Sequence, residues 1–207
     1  MYFSGNVSYS SLPVFLPTIL KAMGFTAINS QGLTAPPYFI AFLLVILIMR
    51  ISDKTQQRGI LIIILSLIAF TGYAMLASTK VVAVRYTGVF LAAAGVFPAL
   101  GNVLVWTLNN QGSDTRRGMG IVILNYIGQC GPILGTRLFP EGDRPYYSKG
   151  LWICAAFMLF NAFLAATLRC LLFWENRKLD EKYGKRDGSV ETRVGEENDG
   201  PRFRYVL

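Results

Sequence analysis

The chain has 207 residues, of which 53% are hydrophobic and 15% charged, with a formal net charge of +8 and no histidine. Soluble domains carry about 25% charged residues, so the composition argues against a water-soluble fold and for an all-α, polytopic membrane protein. The basic excess lies beside long apolar windows, where it opposes lipid head groups and orients helices; no basic stripe interleaved with aromatics speaks for nucleic acid.

Six spans are expected, at about 1–20, 33–49, 60–77, 86–111, 119–138 and 150–172. The first follows Met1 directly, without the basic stretch or cleavage site of a removable signal. It is uncharged but only moderately apolar. Asn6, Ser10, Pro13 and Pro17 share one helical face. That face must turn toward other helices or water, because unsatisfied polar groups are costly in lipid. Asn6-Val7-Ser8 matches a glycosylation sequon that a place inside a span leaves inert.

Lys21–Gly32 reads as a polar connector. The second span opens on Pro36-Pro37, tolerated in a first turn, with Tyr38 beside them. The third, 60–77, is the most uniformly apolar and is expected to face lipid over much of its surface. Each is about as long as a helix needs to cross roughly 30 Å of hydrocarbon. The charged connector Arg50–Gly59 therefore joins them as a hairpin, and its Arg50, Lys54 and Arg58 favour the cytoplasm.

Beyond a turn at 78–85, the fourth span carries Asn102, Trp106 and Asn109 at i, i+4 and i+7 on one face. The fifth carries Asn125 and Gln129 at i, i+4. Gly88, Gly95, Gly101, Gly128, Gly131 and Gly135 permit close backbone approach. Pro98 and Pro132 are placed to interrupt their helices near mid-membrane, a transporter feature. The third and last spans would form the outer wall. Arg116, Arg117 and the basic residues from Arg177 to Arg186 fall on the hairpin side, against Lys21, Lys80, Arg85, Arg137, Arg144 and Lys149 on the other. This moderate bias places the C-terminal tail in the cytoplasm. Glu175–Arg186 can extend the last helix, whereas Asp187–Leu207 is too poor in apolar surface to fold alone and is expected to be disordered.

No charge stands at the centre of any span, and no buried arginine or carboxylate is expected. The candidates are therefore neutral: Asn6, Tyr38, Asn102, Trp106, Asn109, Asn125 and Gln129, lining one wet crevice. An indole with flanking amides can stack on a planar solute and bond its oxygens. The same amides could instead bond neighbouring helices, each contributing about 0.6 kcal/mol. Cys130, Cys154 and Cys170 sit in apolar windows without metal-type spacing and read as small buried hydrophobes. No metal or cofactor is expected. Nor is an enzyme, since no histidine, intramembrane acid pair or nucleophile with its base is present.

Met49–Gly59 resembles the loop motif of the major facilitator superfamily, with Asp53-Lys54 and Arg58 matching and Met49 where the pattern prefers glycine. Phe15-Leu16-Pro17-Thr18-Ile19, Leu33–Tyr38, Val84–Gly95, Trp106–Asn110 and Ile133–Phe139 resemble the fungal allantoate permease family of anion:cation symporters. The resemblance covers about 1–178. It implies small organic anions such as allantoate, nicotinate, pantothenate or biotin as solutes, with protons as coupling ion. It further implies twelve helices in two six-helix halves, of which this chain looks like the second, beginning inside helix seven. Asp53, Lys54 and Arg58 would then form a cytoplasmic gate in a plasma-membrane transporter. A lone half lacks the partner it rocks against, so a truncated, non-transporting membrane protein remains the alternative.

Overall fold

The computed structural model describes residues 1–22, 24, 26–143, 146–184 and 203–207. Regular structure among them is helical: α1 (Tyr2–Ala22), α2 (Ala27–Gly32), α3 (Ala35–Thr55), α4 (Arg58–Ser78), α5 (Val82–Asn109), α6 (Asp114–Gly128), α7 (Cys130–Gly135) and α8 (Ser148–Tyr183), with a 3-10 turn at Glu141–Asp143. The expectation of an all-α, polytopic protein stands. Among the described residues five helical segments are long and apolar enough to cross a membrane, with most of α2 joined to α3 and α6 joined to α7. Serines, Asn6 and two prolines dilute the apolar content of α1, which is not among the five.

The central helix is α5, which packs on α4, α3 and α1; α8 closes the bundle against α4 and α1, and α7 lies on α1. Small residues set these distances. A Cβ added at Gly88 would meet the Gly72 carbonyl at 2.8 Å, and one at Gly95 the Ala69 nitrogen at 2.6 Å, so α4 and α5 touch backbone to backbone. Gly131 lies equally close to α1, where a Cβ would meet the Phe3 carbonyl at 2.7 Å. The glycines do permit close approach, but Gly88 and Gly95 serve the seam with α4, Gly101 faces Met49 of α3, and Gly128, Gly131 and Gly135 serve the seam with α1.

Several expectations of detail are corrected. The hairpin connector shrinks to Gln56-Gln57, because α3 runs on through Thr55 and α4 begins at Arg58. Gln56 ends α3 in a left-handed conformation (φ 54°), its N–H on the Ser52 carbonyl at 3.0 Å. The 21–32 connector holds α2, capped by Thr26, whose hydroxyl accepts from the Asn29 N–H at 3.3 Å. Pro98 stays inside an unbroken α5, whereas Pro132 follows closely on a real break at Gln129. Pro132 has no N–H to return to Gly128, so the ladder parts there.

The most exposed walls also differ. In the apolar window of α3 only 11% of residues are buried, and in that of α6–α7 17%, against 39% for α4. The glycine seam draws α4 inward. Cys154 is buried as expected, but Cys130 and Cys170 are exposed. Finally, α8 continues nine residues past Trp174 to Tyr183, and Phe203–Leu207 is not loose: Phe203 is buried, and the segment packs on the bundle. The rest of the tail, 185–202, lies outside the described residues.

Candidate functional site: a buried arginine node and an aromatic trio

At the end of the bundle that carries Arg50, Lys54, Arg116 and Arg117, here the basic end, α4 opens on Arg58 and points it into the junction of α3, α4 and α5. Arg58 is 2% exposed. One guanidinium nitrogen pairs with Asp53 and another donates to the Ser52 hydroxyl at 3.1 Å. The Ser52 hydroxyl donates onward to the Asn102 amide oxygen at 2.6 Å, and the Asn102 amide nitrogen donates to the Pro98 carbonyl at 3.0 Å. With its amide oxygen turned toward Arg58, Asn109 accepts from Nε at 3.0 Å and from a terminal nitrogen at 3.2 Å. A buried guanidinium is costly unless charge and hydrogen bonds compensate it. Here one carboxylate and one hydroxyl from α3 and one amide from α5 do so.

This node differs from the expected wet crevice. Asn102 and Asn109 do share a face, but it is turned into the α3–α4 junction and satisfied there. Trp106, on the same face and 1% exposed, is shut between α4 and α8 with Ile62, Val103 and Ala165. Its indole N–H donates to the Val206 carbonyl at 2.7 Å. Asn6 is buried beside Gly131 of α7, its amide bonded to the Tyr2 carbonyl at 2.9 Å. Asn125, half-buried, bonds the Ile121 carbonyl at 3.0 Å, and Gln129 stands exposed at the α6–α7 break. Of the gate motif, Asp53 and Arg58 meet, while Lys54 is exposed. The expected absence of buried arginine is overturned twice. Arg85, 1% exposed near the opposite end of α5, donates to the Tyr146 carbonyl at 3.1 Å and lies over its ring.

Tyr38 belongs to a second cluster. Its ring packs edge-on to Phe97 of α5 at 5.6 Å between centroids, and Tyr9 of α1 packs on the same Phe97 at 5.2 Å. Phe97 lies on the side of α5 opposite Asn102, and Tyr9 is partly open to the surroundings. The Tyr38 hydroxyl is buried and meets no hydrogen-bond partner among the described residues, a state that asks for an explanation. Sequence reasoning missed Tyr9 and Phe97, because aromatics in apolar spans carry no signal of the side they face. It also missed the hydrogen bonds that link α1 to α4 and α8. Ser4 donates to Asn161 at 3.1 Å, Asn161 to Ser66 at 2.9 Å, and Tyr73 to the Ser8 carbonyl at 2.7 Å.

Comparison with known proteins gives a consistent direction. The chain is 28% identical over 99% of its length to the high-affinity nicotinic acid transporter of Saccharomyces cerevisiae, covering 39% of that protein. It is 29% identical over 98% of its length to the MFS-type transporter cnsO of Penicillium expansum, covering 41%. To the major facilitator-type transporter hxnP of Emericella nidulans it is 27% identical over 99% of its length, covering 43%. No protein-family model matches the chain, and no solved structure matches it. The chain thus spans about two fifths of the length of these curated relatives, all of them named as transporters, and it is itself a multi-pass integral membrane protein.

Proposed function

We propose that this chain is the second six-helix half of a major-facilitator-type secondary transporter of the allantoate permease kind. It would carry small organic anions such as nicotinate, pantothenate or allantoate-like solutes by proton-coupled alternating access in the assembled form. The observation that carries the reading is similarity along nearly the whole chain to transporters, one of them named for nicotinic acid. The basic end would face the cytoplasm of a plasma-membrane protein, as the distribution of Arg and Lys favours. There the Arg58–Asp53–Ser52–Asn109 node would make the ends of α3, α4 and α5 move as one gate element.

The solute surface would lie on the other side of α5, on Tyr9, Tyr38 and Phe97, with Asn125 and Gln129 across the break in α6–α7. Edge-packed aromatics offer a planar acid a face to stack on, and the unpartnered Tyr38 hydroxyl offers it a hydrogen bond. Alternating access needs a second half to rock against. Labelled nicotinate, pantothenate and allantoate should therefore enter cells that express this chain joined to the first half of a relative, and not cells expressing this chain alone. Tyr38→Phe in the joined protein should weaken uptake affinity about tenfold, the factor that about 1.4 kcal/mol represents. Background uptake of every solute by the joined protein would reject the transport assignment.

A second reading concerns the chain on its own, which covers about two fifths of each relative. It would be a non-transporting membrane protein that pairs with a separate half. Co-purification with a separately expressed first half, without restored uptake, is the result that reading expects.

A further inference from the structure

We propose that the basic end carries a peptide-binding cleft, formed by Trp106 and Asn110 of the α5 end and Asn176 and Asp180 of α8, whose ligand is the chain's own segment Phe203–Leu207. The inference does not rest on the transport reading. Its ground is the way two asparagines grip successive residues. The Asn176 amide accepts from the Tyr205 N–H at 2.8 Å and donates to the Tyr205 carbonyl at 2.8 Å. The Asn110 amide accepts from the Val206 N–H at 2.8 Å and donates to the Val206 carbonyl at 3.2 Å. In extended chain the N–H and C=O of one residue point to one side and those of the next to the other. Two amides on separate helices, reading two consecutive residues, are the side-chain equivalent of adding a strand to a sheet edge.

Specific contacts surround this backbone grip. The Trp106 indole shares the Val206 carbonyl at 2.7 Å, and the Val206 side chain packs on the cluster of Ile62, Val103, Trp106 and Ala165. Arg204 pairs with Asp180 at 2.7 Å and donates to the carbonyls of Leu179 at 3.4 Å and Gly184 at 3.0 Å, at the C-terminal end of α8. The Leu207 main-chain oxygen accepts from the Gly59 N–H at 3.2 Å, in the first turn of α4. The segment thus ties the ends of α4, α5 and α8 together and covers the indole that would otherwise face water.

The test uses the whole chain in detergent, with Trp152→Phe and Trp174→Phe so that Trp106 is the sole indole. Asn110→Ala with Asn176→Ala should release the segment, shift Trp106 emission to the red and raise its quenching by acrylamide about threefold. In a second variant lacking 203–207, added Phe-Arg-Tyr-Val-Leu peptide should restore blue emission. The same peptide in scrambled order should not, and Asp180→Ala should weaken rebinding about tenfold, more at low salt than at high. Circular dichroism and gel filtration are run on each variant, which should keep its helices and its monodisperse peak. Unchanged Trp106 emission and quenching in both folded variants would overturn the proposal, as would equal restoration by the scrambled peptide.

Discussion

Arg58 and Asp53 are ion-pair partners of unequal weight. The arginine side chain is 3% exposed and the aspartate 65%, so solvent already screens the carboxylate while the guanidinium depends on protein groups. Asp53→Asn should therefore cost little, about 0.5–1 kcal/mol. Arg58→Gln should cost more, about 2–3 kcal/mol, because Ser52 and Asn109 lose a buried donor together. Thermal unfolding in detergent, followed by circular dichroism, should show the larger drop for Arg58→Gln. The hairpin motif could be read in the sequence as a charged turn. That Arg58 folds inward could not, because Asn109, which accepts from it, and Asn102, which holds its partner Ser52, stand 51 and 44 positions away along the chain, beyond any local periodicity.

At the scale of the helix, the seams explain which elements can tolerate bulk. The α4–α5 seam has no room for a side chain at Gly95, where a Cβ would press on Ala69. Gly95→Leu should force the two helices apart and destabilise the bundle by about 3 kcal/mol or more, in the range of severe overpacking. The same change at Gly118, where nothing lies within 4 Å, should be nearly neutral or slightly favourable through helix propensity. Pro132→Ala belongs to this scale too. It restores a donor to the Gly128 carbonyl and should fuse α6 with α7, read as slowed amide exchange at the residues on either side of 132. The glycine and proline positions were legible in the sequence. Their partner helices were not, since a small residue shows where something can approach and not what does.

At the scale of the molecule, the outward surface of α3 and of α6–α7 is a field of Phe39, Phe42, Leu43, Leu47, Val122, Ile123, Ile127 and Ile133. Soluble monomers rarely show apolar patches beyond a few hundred Å². The chain should stay with membranes through alkaline carbonate washing and pass into solution only with detergent, as fractionation and blotting would read. Recovery of monomer from the aqueous wash would contradict the membrane assignment at its root.

Amino-acid order alone determined that this is a helical membrane protein and which end is basic. Those properties follow from summed hydrophobicity and from charge, both of which are local. Only tertiary structure decided that α4 is drawn inward by glycines, that Asn102 and Trp106 are sealed into a helix junction, and that Phe203–Leu207 is held by Asn110 and Asn176. Each of these depends on pairing residues far apart in the chain. In an environment as apolar as the side chains themselves, such pairing is chosen by close packing and by the need to satisfy every buried polar group. Neither quantity can be read from one helix at a time.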